Sequence, residues 1–341
     1  MTVSAGGLSA LQPEADFEQA ISLAQRLQTA LTSVIKGRSD TVRLVIAALL
    51  ADGHVLLEDY PGSGKTTLSK TLGRLIARGM HQHTVEHILP FRRVQFTPDL
   101  LPGDVLGVNV FEPKSGTFRF IHGPIFAHVV LADELNRAGP KVQAAFLECM
   151  AEKQVTIDNV THKLDDLFFV IGTQNPLDVA GTYPLPLVQL DRFLFRLPMS
   201  YVDSKTEFEI LGNHREIERL SVEIAPIAAP EEVLKARVAC EQVQIAEPLR
   251  QAIVDIIQST RNNPLLQFGA STRAGLMLQK ALRGWAVVNG REYCTEDDLK
   301  QIIPFVLGHR LKFHGGAGDA RHALQTLVTP HLEKLIAHGV R

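Results

Sequence analysis

The sequence predicts an α/β fold: a parallel sheet flanked by helices, followed by an all-helical C-terminal region. Three observations predict it. The apolar run Val55-Leu56-Leu57 reads as a buried strand that enters the glycine-rich turn Asp59-Tyr60-Pro61-Gly62-Ser63-Gly64-Lys65-Thr66-Thr67 and then a helical pattern, Leu68, Leu72, Leu75 and Ile76. Two further apolar strand candidates, His128–Ala132 and Leu167–Gly172, each end in polar residues. From Ser204 onward strand patterns stop and apolar residues recur at helical spacing.

The bulk properties bound the possibilities. The chain has 341 residues, enough for about two domains, with 45% hydrophobic and 21% charged residues, a soluble globular balance. A net charge of −2 offers no global field toward nucleic acid or an anionic membrane. The longest apolar run, Leu44 to Ala51, is far short of the roughly 20 residues of a membrane span. Acidic residues Glu14, Asp16 and Glu18 argue against a signal peptide. Cys149, Cys240 and Cys294 lie too far apart for a zinc knuckle or a disulfide framework. The expected location is the cytoplasm.

In order, residues 1–16 are expected as a disordered tail, and Phe17 to Ile35 as an amphipathic helix ended by Gly37. Asp40 is the expected N-cap of a helix over Thr41 to Ala51. The segment Met80–Leu89 carries His81, His83 and His87; no carboxylate or cysteine completes a convincing ligand set, and it reads as a solvated loop. Val94-Gln95-Phe96 is a short strand candidate. Val105–Phe111 and Thr117–Ile121 flank Glu112-Pro113-Lys114-Ser115-Gly116 as a hairpin, a decoration of the kind that carries partner contacts. A helix over Lys141–Lys153, a small hairpin around Asp158-Asn159 and a last strand over Phe193–Leu197 complete the α/β part. The helical part comprises Glu207–Leu220, a segment from Pro230, Pro248–Arg261, Ala274–Val288 opened by Ser271-Thr272-Arg273, Leu299–Leu307 opened by Thr295, and Arg321–His338. The division placed near residue 200, where strands give way to helices, gives an α/β domain over 17–200 and a helical domain over 201–341.

Two stretches carry chemistry. In the glycine-rich turn, Gly62 and Gly64 let backbone N–H groups converge on anionic oxygens, and the following helix adds its positive end. Pro61, Gly62, Ser63, Gly64, Lys65, Thr66 and Thr67 form the candidate phosphate-binding set, with Lys65 for the β- and γ-phosphates and Thr66 for Mg²⁺. The pattern GxxxxGK[ST] asks for glycine at 59, where this chain has aspartate. In the second stretch a strand runs into Asp133-Glu134. Asp133 would support Mg²⁺, and Glu134 would polarise the attacking water. Asn175, at the end of a third strand, could orient that water, or simply start a turn with Pro176.

These residues resemble the MoxR group of AAA+ ATPases over nearly the whole chain. The match is carried by Leu57 through Thr66, the run Val94-Gln95-Phe96-Thr97-Pro98-Asp99-Leu100-Leu101-Pro102, Gly123-Pro124-Ile125-Phe126-Ala127, Leu131 through Ala138, Gly172-Thr173-Gln174-Asn175-Pro176 and Leu190-Asp191-Arg192-Phe193. The resemblance implies a P-loop NTPase (AAA+) core with a helix-2 hairpin insert at 105–121 and a helical lid. It makes Lys65 and Thr66 Walker A residues and Asp133 and Glu134 Walker B residues. Asn175 becomes sensor 1, Arg192 an arginine finger for a neighbouring subunit, and Arg273 the sensor 2 arginine that closes on the same phosphate. It further implies ATP and Mg²⁺, a hexameric ring, and a chaperone-like role remodelling or maturing a partner protein, often alongside a separate protein with a von Willebrand factor A domain. Two other readings compete: a nucleic-acid motor, disfavoured by the near-neutral charge and the lack of a nucleic-acid module, and a nucleotide-gated scaffold, disfavoured by the intact Asp133-Glu134 pair.

Overall fold

A computed structural model of the protein describes residues 13–60, 62–77, 88–175, 181–314 and 320–337. Five strands form one parallel sheet: β1 (Val55–Asp59), β2 (Leu89–Gln95), β3 (Ala127–Asp133), β4 (Phe169–Gln174) and β5 (Phe195–Met199), in the order β2-β3-β4-β1-β5. Strand alternation sorts the core into two layers. Val55, Leu57, Val129, Leu131, Phe169 and Ile171 face one layer, with the helices Pro13–Val34, Ser39–Leu50 and Lys65–Leu75. Leu56, Val130, Ala132 and Val170 face the other, which includes Phe146 of the helix Pro140–Glu152.

Register sets the site. Gln95 lies level with Asp133, and Glu58 level with Gln174, so these polar strand ends share the carboxyl edge of the sheet. Val55 lies level with Phe195, which places residues 191–194 at the opposite, amino edge.

Several expectations shift. The first helix begins at Pro13, so residues 13–16 belong to it; residues 1–12, Pro61, the histidine-bearing residues 80–87 and Pro176 lie outside the described residues. Asp40 is not the N-cap: the helix starts at Ser39 after Arg38 with no side-chain cap bond, and Asp40 sits in the first turn, where the helix dipole favours a carboxylate. β2 is longer than its apolar part because it is an edge strand, where Arg92 and Arg93 can reach solvent. The short helix Pro102–Leu106 takes the start of the expected hairpin, whose strands run Gly107–Glu112 and Thr117–His122. The expected segment 207–220 is two helices, Ser204–Gly212 and His214–Glu223, parted at Asn213.

The C-terminal helices pack on the α/β part through specific ties. Arg237, in the helix Pro230–Glu241, donates to the carbonyls of Leu49 (2.9 Å), Asp166 (2.8 Å) and Leu167 (3.0 Å). Arg237 also pairs with Asp52 at 2.5 Å, a carboxylate that Lys153 of the α/β part holds at 2.9 Å. Burial works to raise the Asp52 carboxyl, but Arg237 and Lys153 outweigh it and leave it below its ordinary pKa.

Candidate active site

The phosphate-loop candidates meet the Asp133-Glu134 pair at the carboxyl edge. Gly62 and Gly64 have φ of +84° and +90°, a conformation L side chains resist, and nothing lies within 4 Å of where a Cβ would stand on either. The helix Lys65–Leu75 begins at once, aiming its N-terminus into this open turn. Ser63 Oγ is buried and has no hydrogen-bond partner among the described residues. An open cradle of left-handed glycines, an orphaned hydroxyl and a helix N-terminus suit a phosphate chain. Thr66 and Thr67 sit half-buried in the first turn.

Lys65 Nζ lies 3.0 Å from Asp133 Oδ1. That oxygen also accepts from Thr173 Oγ1 at 2.8 Å, while Arg93 donates to Oδ2 through Nη2 (2.6 Å) and Nε (3.1 Å). Burial pushes the Asp133 carboxyl up, yet the hydrogen bonds from Arg93, Thr173 and Lys65 win and hold it below the usual carboxylate range. Asp133 therefore stays ionised, as a magnesium-supporting carboxylate must.

Glu134 follows in the left-handed region at φ +57°, uncommon for a residue with a side chain and frequent where geometry serves a site. Its amide donates to Thr173 Oγ1 at 2.9 Å, and its carboxylate receives Gln95 Nε2 at 2.7 Å and Arg137 Nε at 3.0 Å. Asn175 is half-buried just past the end of β4, on the same edge. Beside the loop, Tyr60 stacks on Tyr201 at 5.4 Å, and Tyr201 borders an open cavity of about 380 Å³ between residues 32–41 and 198–202.

Arg192 and Arg273 are not brought to this cluster. Arg192 precedes β5 at the amino edge, with its Nε buried and unpartnered, and lines a cavity with Glu148 and Glu152. Arg273 opens the helix Thr272–Val288, and its Nε lies 3.3 Å from Asp191 Oδ2, one residue before Arg192. Sequence reasoning missed Thr173, Arg93 and Asp191 as site-shaping residues. Thr173 and Asp191 lie inside quoted motifs; Arg93 was signalled only by its charge within an apolar strand.

The fold and this site define the P-loop ATPase class with a helical lid. Residues 54–195 match the ATPase family associated with various cellular activities (AAA), and residues 258–328 match the AAA lid domain. Chaperone MoxR1 of Mycobacterium tuberculosis is 36% identical over 290 residues, 82% of this chain and 72% of that protein. Protein MoxR of Methylorubrum extorquens is 28% identical, covering 84% of this chain and 87% of its own. The crystal structure of a candidate ATPase from Cytophaga hutchinsonii superposes with a TM-score of 0.83 at 31% identity, over 95% of this chain and 98% of that one. The chain belongs to the MoxR family of AAA+ ATPases. Among the described residues no helix is long and apolar enough to cross a membrane.

Proposed function

We propose that the chain is a Mg²⁺-dependent ATPase whose site is shared between two copies, and that turnover remodels or matures a partner protein. One observation carries the shared site. Lys65, Asp133 and Glu134 lie at the carboxyl edge of the sheet, while Arg192 and Arg273 lie at the amino edge. The five residues of β5 alone span roughly 16 Å at about 3.3 Å per residue. This separation supports the reading that Arg192 and Arg273 serve the phosphates of a neighbour.

In this reading Gly62, Ser63, Gly64 and the helix N-terminus hold the phosphate chain, Lys65 leaves Asp133 for the β- and γ-phosphates, and Pro61 and Thr67 complete the loop. Thr66 and Asp133 would hold Mg²⁺, which supplies charge neutralisation at the phosphates when bound. Glu134, fixed through its amide by Thr173, orients the attacking water and takes its proton, with Asn175 beside it. The cavity beside Tyr201 suits the base and sugar of the nucleotide. Arginines supplied across the interface are worth about 10³–10⁵ in rate.

The hexameric ring, the chaperone-like work on a client, a separate von Willebrand factor A domain partner, the cytoplasmic location and the division into 17–200 and 201–341 rest on the family relationship; a relative that bears the name chaperone supports the second of these. The test is a set of three variants. Glu134→Gln and Arg192→Ala should each lower turnover at least about a hundredfold while a fluorescent ATP analogue still binds, and Lys65→Ala should lose that binding. Unchanged turnover in Glu134→Gln would remove Glu134 from the mechanism.

A further inference from the structure

Asp191 lies between the short helix Leu187–Leu190 and β5 and is shared by two arginines of the helical region. Its Oδ1 accepts from Arg310 Nε at 2.7 Å, and its Oδ2 faces Arg273 Nε at 3.3 Å. The two arginines are held very differently. Arg310 is built in: its side chain is 2% exposed, and it also donates to the carbonyls of Phe193 (2.7 Å), Asp191 (3.1 Å) and Leu194 (3.3 Å). A guanidinium spread over that many fixed acceptors cannot swing, so it fixes the carboxylate it holds.

Arg273 is 54% exposed and faces Asp191 through Nε. Its terminal nitrogens, the fork that grips a phosphate in two-pronged fashion, make no hydrogen bond among the described residues. Arg192 projects from the next residue, so the clamp on Asp191 also fixes the backbone that presents it. Arg273 and Arg310 repel one another, and the Asp191 carboxylate that both face offsets that repulsion.

We propose that Asp191 is a positioning residue that holds Arg273 and Arg192 as one two-arginine jaw for the phosphates of a second copy. The proposal rests on the shared-site reading. It assigns Asp191 no contact with nucleotide and no part in proton transfer. Its effect belongs to the copy that donates the arginines, not to the copy that binds the nucleotide.

The experiment is subunit mixing. A Lys65→Ala chain keeps the arginines and loses the phosphate loop; an Arg192→Ala chain does the reverse. Each alone should be nearly inactive with Mg²⁺ and ATP, and a mixture should regain turnover. Asp191→Asn, which keeps shape and removes charge, is then added to one chain at a time. On the Lys65→Ala donor it should cut the regained rate by about tenfold, at least about fivefold more than on the Arg192→Ala acceptor, and Asp191→Glu on the donor should recover most of it. A purely structural role would give equal losses from both placements, and that result, or no loss from the donor placement, overturns the proposal. A parent mixture that regains nothing overturns the shared site itself and this proposal with it.

Discussion

Single residues set the chemistry of this molecule by what they hold. Thr173 bridges the two acids, donating to Asp133 and accepting from the amide of Glu134, so one hydroxyl fixes both the carboxylate that stays ionised and the strained backbone that follows it. A different single residue sets the response to pH. His54 is buried below β1; its Nδ1 accepts from the Val170 amide at 3.1 Å, so Nε2 carries the hydrogen and donates to the Met150 carbonyl at 3.2 Å. Burial, which disfavours the charged ring, lowers its pKa to about 4. The unfolded chain, with the histidine near 6.5, takes up a proton that the folded chain refuses. Stability from this group is whole above pH 6.5 and is lost as pH falls toward 4, in total roughly 3 kcal/mol. His309, buried and also lowered, acts in the same direction. The unfolding temperature should therefore drop across that window, and His54→Gln should flatten the drop; an unchanged slope in the variant would acquit His54.

At the scale of elements, the helix Thr272–Val288 is pressed onto the helix Ser39–Leu50. A Cβ on Gly284 would stand 2.3 Å from the carbonyl oxygen of Ala47 and 3.0 Å from Ala51 Cβ, and a backbone carbonyl cannot step aside as a side chain does. Gly284→Ala, which ordinarily favours a helix, should here destabilise by about 1–3 kcal/mol, read as a lower midpoint in a thermal melt. A raised midpoint would mean the helices do not approach so closely. The close approach was not legible in the sequence, because a glycine inside a helical pattern looks the same whether or not another backbone lies against it. The phosphate loop, the Asp133-Glu134 strand end and the helix starts at Ser271 and Thr295 were legible, since each depends on neighbours in sequence: Ser271 Oγ accepts from the Ala274 amide, and Thr295 and Asp298 form a capping box. Asp40 misled because a carboxylate suits both a cap and a first turn. The full length of β2 was hidden because only its place at the sheet edge explains Arg92 and Arg93.

The whole molecule divides its candidate catalytic residues between two edges of one sheet. Motif spacing could name Lys65 and Glu134, and the family resemblance Arg192 and Arg273, but only strand register shows that the acids and the arginines face opposite ways. Arg273 shows the difference most clearly: by motif it joins the phosphate site, and by geometry it joins Asp191. The ties of Arg237 to Leu49, Leu167 and Asp52 join the helical region to the α/β part near the amino edge, on the side of the arginines. In the shared-site proposal, such a chain holds two halves of a site and completes neither. The most direct measurement is the Mg²⁺-ATPase rate per subunit against protein concentration, with sedimentation on the same samples. A shared site predicts a rate that climbs steeply as chains assemble and is nearly absent where they sediment singly. A flat, measurable rate in samples that sediment as single chains would contradict it.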